Sequence, residues 1–135
     1  MKDLHQLKLY LRDFAEQRDW QQYHSPKNLA MALTVEAAEL LEPFQWLSEE
    51  QSKTLTAEQH QAVSDEIADV QVYLVRLADQ LSIDILEAVA HKTQQNERKY
   101  PADKVRGSAR KYTAYPTDTP YNDHKNCAHK DNDDH

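Results

Sequence analysis

Four acidic residues have the spacing in this chain that is best suited to chemistry. Glu36 and Glu39 form one pair three residues apart, and Glu66 and Asp69 form a second. Residues at this spacing lie one turn apart on the same face of a helix. Two like charges about 4 Å apart cost roughly 1–4 kcal/mol, even with partial screening. A hard divalent cation with oxygen ligands would offset that cost, so the two pairs predict a metal site.

The ligand types available near these acids narrow the choice of metal. The chain has one cysteine, Cys127, and no paired-histidine spacing of the kind that binds zinc. A di-iron bundle uses Glu-x-x-His motifs, whereas here the residue three positions on is Glu or Asp. All-oxygen ligation favours Mg²⁺, with Mn²⁺ as a substitute. A single acid pair is more often a solvated helix face, but two pairs beside apolar stripes weaken that interpretation.

Apolar residues at helical spacing predict the elements that would hold these acids. The pattern indicates four main helices, over about residues 3–19, 26–46, 56–81 and 83–99. Ser25 followed by Pro26 is a helix-start signal, and residues 56–59 fit a capping box. The helix lengths and short links are typical of an antiparallel bundle. We therefore expect an all-α fold of the four-helix-bundle type.

Details within the bundle follow from the same pattern. Pro43 cannot donate to the Glu39 carbonyl, so it should bend or end the second helix. The polar residues 48–54 are expected to form a loop. The inward stripe of the third helix is predicted to be Val63, Ile67, Val70, Leu74, Leu77 and Leu81. A unit this short with apolar residues on two sides of its helices should bury one face against a partner.

The composition excludes several classes of protein. The 135 residues carry a net charge of −7 and include a single glycine. So few glycines argue against a many-stranded β fold, and the negative charge disfavours nucleic-acid binding. No apolar run reaches the roughly 20 residues of a membrane span, and the N-terminus lacks a signal-peptide core. The lone cysteine allows no internal disulfide, which fits a reducing compartment. From these features together we expect a cytoplasmic protein that binds neither membranes nor nucleic acid.

The character of the sequence changes after Gly107. Residues 107–135 have almost no aliphatic side chains and many Tyr, Asp, Asn, His and Lys residues. Such a composition cannot build a core of its own. We expect residues 1–106 to form the helical domain and residues 107–135 to form a polar tail. The tail is either mobile or docks through its tyrosines onto the body or a neighbouring subunit.

Three segments, in order, resemble one family of enzymes. Residues 14–46 contain the first acid pair and end in Phe-Gln-Trp, residues 65–84 contain the second pair, and residues 96–101 read NERKYP. Together they resemble the MazG-like all-α nucleotide pyrophosphohydrolases, in the short single-domain branch that includes the dCTP pyrophosphatases. The E-x-x-E and E-x-x-D motifs of that family fall on the two pairs. Many members carry a further acid just before the first Glu, where this chain has Val35.

The resemblance implies an activity and an assembly. It implies Mg²⁺-dependent hydrolysis of dCTP or a related deoxynucleoside triphosphate to the monophosphate and pyrophosphate, for housecleaning of the nucleotide pool. Glu36, Glu39, Glu66 and Asp69 would bind the metal and act in catalysis. A carboxylate not saturated by metal could accept a proton from water, and Glu39 is the first candidate for that base. We expect a homodimer or a dimer of dimers, and the resemblance implies that subunits pack together and that the substrate pocket takes residues from more than one chain.

Candidate substrate contacts surround the second helix. Trp20 and Trp46 flank its two ends and could be core residues, but the resemblance implies that they stack on the nucleobase. His24 lies between Trp20 and the helix start, so it could contact substrate. Asn28, in the first turn, could contact base or sugar or could be a structural cap. Tyr73, one turn after Asp69, could contact substrate or pack.

Two residues of the fourth helix could hold the phosphates. Lys92 and Asn96 share one face of that helix, and a lysine is a suitable point charge for a phosphate. The usual alternative is a solvated helix face. Two other functions stay open for the chain: a non-catalytic helical interaction module, and an enzyme like phosphoribosyl-ATP pyrophosphohydrolase. The tryptophans and the Phe-Gln-Trp segment favour the nucleotide-pool branch over the second of these.

Overall fold

A computed structural model of the chain describes residues 1–110 and residue 113. Every regular element in those residues is helical, which confirms the predicted all-α fold. Four main helices and two single-turn helices follow one another along the chain, with a short 3₁₀ helix, Trp20–Tyr23, after the first. The α-helices are α1 Leu4–Glu16, α2 Pro26–Glu39, α3 Glu49–Ser52, α4 Ala57–Gln80, α5 Ile85–Lys99 and α6 Ala102–Val105.

Side-chain caps fix where two of the main helices begin. The Ser25 hydroxyl accepts a hydrogen bond from the Asn28 amide at 3.2 Å, and Pro26 occupies the first turn of α2. Thr56 and Gln59 form a reciprocal capping box at the start of α4, with distances of 3.2 and 2.9 Å. These caps satisfy backbone donors that a helix start leaves free. Both predicted helix starts are confirmed.

The predicted end of the second helix is wrong, and the proline explains the difference. α2 ends at Glu39 rather than near Trp46. Because Pro43 has no amide hydrogen, the Glu39 carbonyl accepts instead from the Glu42 amide at 3.0 Å, and the chain continues as turns. The predicted loop over residues 48–54 is also wrong. Ser48 and Gln51 form a capping box there that supports the single turn of α3.

α4 is the central helix of the fold and packs against both α1 and α2. The buried apolar side chains of this core are Leu11, Ala15, Leu29, Val75 and Ala78. The predicted inward stripe of the third helix is wrong at three positions, because Ile67, Leu74 and Leu81 are exposed in the single chain. The buried residues of α4 are instead Val75, Arg76 and Ala78, and the charge of Arg76 is paired with Asp79.

The chain divides into two compact units, Met1–His91 and a second that begins at Lys92. The predicted boundary between residues 106 and 107 stays a prediction. Most of the predicted tail, and with it Cys127, lies outside the described residues. None of the described helices is both long enough and apolar enough to cross a membrane. The candidate site below lies within the first unit.

Candidate active site

Three of the four predicted acids meet where α2 packs against α4. Glu36 and Glu39 come from the last turn of α2, and Glu66 comes from the middle of α4. Each offers a carboxylate oxygen within 4.8 Å of the other two. We call these three residues the acid cluster. Asp69 is one turn further along α4 and outside this distance, although its charge acts on Glu36 and Glu66.

The acid cluster resists full ionisation. Burial is the largest cause that raises the pKa of Glu36, followed by the charges of Glu39, Asp69 and Glu66. Burial is also the first cause that raises the pKa of Glu66, and Glu39 and Asp69 again add to it. A site that disfavours several negative charges in this way attracts protons or a cation.

The atoms of the acid cluster fit a divalent cation. The Oε2 atom of Glu66 is buried and has no hydrogen-bond partner within the described residues. A buried carboxylate oxygen is costly unless a hydrogen-bond donor or a metal ion binds it. Across residues 1–110 and 113, no Lys or Arg forms an ion pair with any of the three carboxylates. Oxygen donors that are close together, partly buried and unpaired form the ligand set that hard cations prefer.

An open pocket of about 340 Å³ lies next to the acid cluster. Aromatic and aliphatic side chains from α1, the 3₁₀ helix and α4 form most of its wall, and three polar side chains interrupt them. The lining residues are Tyr10, Leu11, Phe14, Ala15, Trp20, His24, Asp69, Val72, Tyr73 and Arg76. Asp69 belongs to this wall and also acts electrostatically on the acid cluster. The pocket and the acids therefore adjoin each other along α4.

Three predicted substrate contacts, Trp20, His24 and Tyr73, lie in the wall of this pocket. The Trp20 ring meets Phe14 edge to face at 5.8 Å and His24 at 6.3 Å. An apolar, aromatic wall with few polar groups is typical of a site for a flat ring. The structure therefore places these side chains where they could hold a nucleobase.

Sequence reasoning missed six of the ten wall residues, among them Tyr10, Phe14 and Arg76. Tyr10 and Phe14 are one turn apart on α1, and their spacing is indistinguishable from that of an ordinary core stripe. Arg76 was the more detectable residue, because it interrupts the apolar run from Leu74 to Ala78. A charged side chain within such a run needs a partner or a function.

The other four predicted contacts are not among the residues that line this pocket. The Asn28 side chain donates to the Tyr23 carbonyl at 3.0 Å, which joins the 3₁₀ helix to the start of α2. Trp46 follows α2 and is 87% exposed in the single chain. Lys92 and Asn96 are exposed on α5 and belong to the second unit. The substrate roles of these residues stay predictions.

Curated relatives share much of this sequence. Over 106 residues, 77% of this chain, it is 42% identical to dCTP pyrophosphatase 1 of Bos taurus and of Homo sapiens. The protein of that name from Mus musculus is 41% identical over 109 residues. The matched parts make up 63%, 62% and 64% of those three proteins, so this chain spans less than two thirds of their length.

Structural and family comparisons agree with the curated relatives. A crystal structure of a pyrophosphatase from Archaeoglobus fulgidus DSM 4304 matches with a TM-score of 0.69 and 45% identity, covering 72% of this chain and 91% of that one. The sequence profile of the MazG-like family matches residues 31–114, which include both acid pairs and α4. These matches confirm the resemblance seen in the motifs: the chain belongs to the MazG-like family.

Proposed function

We propose that this chain hydrolyses a deoxynucleoside triphosphate, dCTP or a close relative, to the monophosphate and pyrophosphate. The observation that carries the proposal is the acid cluster beside an aromatic pocket, with a Glu66 oxygen that has no partner among the described residues. The names of the curated relatives and of the archaeal structure support the same reaction. A cytoplasmic location and a housecleaning role are further parts of the proposal.

The acid cluster would hold Mg²⁺, with Mn²⁺ as a substitute. Glu36, Glu39 and Glu66 supply the oxygens, and Asp69 adds negative charge one turn away. When bound, such a cation neutralises charge on phosphate oxygens and lowers the pKa of a water molecule. Hard oxygen donors without cysteine or histidine favour these two metals.

Glu39 is the proposed general base. It is exposed, whereas Glu36 and Glu66 are half-buried, so it is the member of the acid cluster that water reaches most freely. A water oxygen would attack the α-phosphorus and transfer a proton to the Glu39 carboxylate. The bond from that phosphorus to its bridging oxygen would break, and pyrophosphate would leave with the bonding electrons. This step uses an ionised Glu39 within reach of the water.

The pocket would hold the nucleobase. Trp20, Tyr73 and Phe14 offer aromatic faces or edges to a flat ring, and stacking on such a side chain contributes about 1–3 kcal/mol per base. Because Asp69 belongs to the pocket wall and acts on the acid cluster, a base in the pocket would direct its phosphates towards the acids. Burial of the base would also exclude water from that side.

A homodimer or a dimer of dimers is the proposed assembly. Met31 and Val35 are one turn apart on α2 and are 52% and 54% exposed. Ile67 and Leu74 are two turns apart on α4 and are 54% and 38% exposed. Apolar faces of this kind usually mark protein contacts. A second copy that covers them would explain why these positions of the predicted stripe are not buried in one chain.

A substrate panel tests the proposed reaction. The full-length protein is incubated with Mg²⁺ and each canonical deoxynucleoside triphosphate, and the products are separated by ion-exchange chromatography. We expect monophosphate and pyrophosphate in equal amounts, with dCTP among the better substrates, and no turnover by the E66Q variant. Orthophosphate as the first product, or equal turnover by E66Q, would contradict the proposal. Absence of turnover with every nucleotide would favour the interaction module instead.

A further inference from the structure

Asp19, between α1 and the 3₁₀ helix, has a backbone conformation that few residues adopt. Its φ of 53° and ψ of 34° lie in the left-handed region, where a Cβ atom is crowded against the backbone. Among the described residues, Ser82 is the only other non-glycine residue with a positive φ. Residues held in this region cluster at functional sites.

The Gln22 side chain holds Asp19 in this conformation. Its Nε2 atom donates to the Asp19 carbonyl at 3.0 Å and to Oδ2 of the Asp19 carboxylate at 2.9 Å. A side-chain amide nitrogen has two N–H donors, and both of these Asp19 oxygens are acceptors. One amide group therefore fixes both the backbone and the side chain of Asp19. We call these two residues the Asp19–Gln22 turn.

The Asp19–Gln22 turn determines where the ring of the next residue, Trp20, lies. In an uninterrupted helix, Trp20 would be about 9 Å further along the axis than Phe14 and about 120° away around it, so their rings would not meet. Instead, the Trp20 ring meets Phe14 edge to face, with centroids 5.8 Å apart. The left-handed residue changes the direction of the chain, and Trp20 thereby returns to α1 as part of the pocket wall.

The burial of Trp20 does not account for this strain. Phe14, its partner, is already held by Arg18, whose guanidinium lies 3.6 Å from the Phe14 ring centroid and donates to the Phe14 carbonyl at 3.1 Å. Trp20 keeps 44% of its surface exposed, so it gains only part of the stabilisation that a buried indole would have. A strained turn that presents an exposed aromatic ring at a pocket is better explained by a ligand that covers the ring.

We propose that Asp19 is a positioning residue for the ligand: with Gln22, it keeps the Trp20 ring in the pocket wall before the ligand binds. This inference rests on the proposed function for the identity of the ligand. Asp19 is not among the residues that line the pocket, so it acts through Trp20. A ring placed in advance need not be ordered on binding. The turn should therefore lower KM and leave kcat unchanged.

The placement of Trp20 is measured without turnover by near-UV circular dichroism, which reports fixed aromatic packing. All variants are made in full-length W46F, in which Trp20 is the only tryptophan. D19V should lose most of the tryptophan band, because a β-branched residue is disfavoured in the left-handed region. D19N tolerates that region and keeps an acceptor oxygen, so it should retain the band. An unchanged band in D19V would overturn the proposal.

A second variant covers the case that D19V fails to fold. Q22E replaces the donor with a carboxylate that repels the Asp19 carboxylate, and it should also lose most of the Trp20 band. Q17E makes the same change of charge at an exposed residue after α1 and should retain the band. S82V places valine at the other left-handed residue, in the turn after α4, and should lower Tm while retaining the band. An equal loss in Q17E or S82V, or no loss in Q22E, would overturn the proposal.

Ligand affinity is measured with Trp46 in place, by steady-state kinetics with dCTP and Mg²⁺ and by calorimetric titration with dCMP. D19V and Q22E should raise KM and weaken dCMP binding about tenfold, the effect of losing one stacked ring. Their kcat should stay within about twofold of the wild-type value. D19N, Q17E and S82V should match the wild type. Unchanged affinity for dCMP in D19V and Q22E would overturn the proposal. A wild type that binds dCMP but hydrolyses no triphosphate would overturn the proposed reaction alone.

Discussion

Two charged regions of the first unit lie between three and four turns apart on α4, and their acids differ in whether a cationic side chain pairs with them. Around Asp79, one carboxylate is matched by two arginines, Arg12 and Arg76, through hydrogen bonds of 2.6–3.3 Å. In the acid cluster, three carboxylates face one another, and an oxygen of Glu66 has no partner among the described residues. The acid of the first region is paired with arginines, whereas the acids of the second region have no cationic partner among the described residues.

The pKa directions express the same contrast. Hydrogen bonds from Arg12 are the largest cause that lowers the pKa of Asp79. Burial, followed by the charges of neighbouring acids, raises the pKa of Glu66. The pKa values of two acids on one helix are therefore shifted in opposite directions, because within the described residues Asp79 has a counterion and Glu66 has none. We infer that the Asp79 region stabilises the fold, whereas the acid cluster is a binding site for a cation.

The largest expected effect is on turnover when an acid becomes an amide. E36Q, E39Q, E66Q and D69N should each lower kcat/KM by about 100-fold or more, because several kcal/mol of charge stabilisation would be lost. The metal-free variants should melt no lower than the wild type, because an uncharged group relieves repulsion. Steady-state kinetics and thermal unfolding measure the two quantities.

A matched control lies on the same helix. D65N makes the same change of charge on α4 at an exposed residue whose carboxylate accepts from Gln61 at 2.8 Å. It should keep close to wild-type turnover. Full activity in any two of the four acid variants would remove the claim of a metal site. If all four acid variants unfold, the acids stabilise the fold rather than form a metal site.

The next largest effect is expected on the free energy of unfolding when the pairing around Asp79 is removed. D79N should lower the free energy of unfolding by about 3 kcal/mol, because it leaves Arg76 buried without its counterion. Urea denaturation measures this loss. The control E50Q breaks an ion pair whose side chains are 65% and 85% exposed, and it should change stability by less than about 1 kcal/mol. A D79N variant as stable as E50Q would show that the pairing contributes little.

A smaller effect is expected in the pocket that joins the two regions. W20A should raise KM about tenfold, because Trp20 belongs to the pocket wall and stacking on a base contributes about 1–3 kcal/mol. Trp46 is 87% exposed in the single chain, so W46A tests whether a second subunit brings it to the substrate. A comparable rise in KM for W46A would support the oligomeric site, and no rise would argue against it. Substrate saturation curves for both variants decide this.

The smallest expected effect is the pH dependence of stability near Asp79. Because its pKa is lowered in the folded chain, the ionised carboxylate contributes stability above the ordinary aspartate value of about 3.9. That contribution is lost as pH falls through this value towards the lowered one. The stability difference between wild type and D79N should therefore shrink between about pH 6 and pH 3. A difference that stays constant over this range would contradict the lowered pKa.

The sequence predicted what local signals encode. The caps at Ser25 and Thr56 and the apolar spacing placed the main helices, because each signal acts within a few residues. The acid pairs could be assigned to one site because each lies beside an apolar face, and packing of α2 on α4 then brings Glu36 and Glu66 together. Trp20 lies in the pocket wall because the 3₁₀ helix that contains it directly follows α1.

Long-range pairing could not be predicted in the same way. The contact between Arg12 and Asp79 joins residues 67 positions apart, and it permits Arg76 to be buried. Ile67 and Leu74 are exposed in the single chain, against the expectation from spacing alone, because spacing marks a position as apolar without showing whether its own chain or a partner covers it. The single turn of α3 depends on one capping box that the polar composition of residues 48–54 concealed.

Thermal unfolding of the wild type and of E66Q, each with and without Mg²⁺, tests the contrast between the two regions most directly. A cation at about 100 times its Kd adds about 2.7 kcal/mol to the stability of the state that binds it. We predict that Mg²⁺ raises the wild-type Tm, and that E66Q, which lacks one ligand charge, loses most of this rise. An unchanged wild-type Tm, or an equal rise in E66Q, would contradict the account.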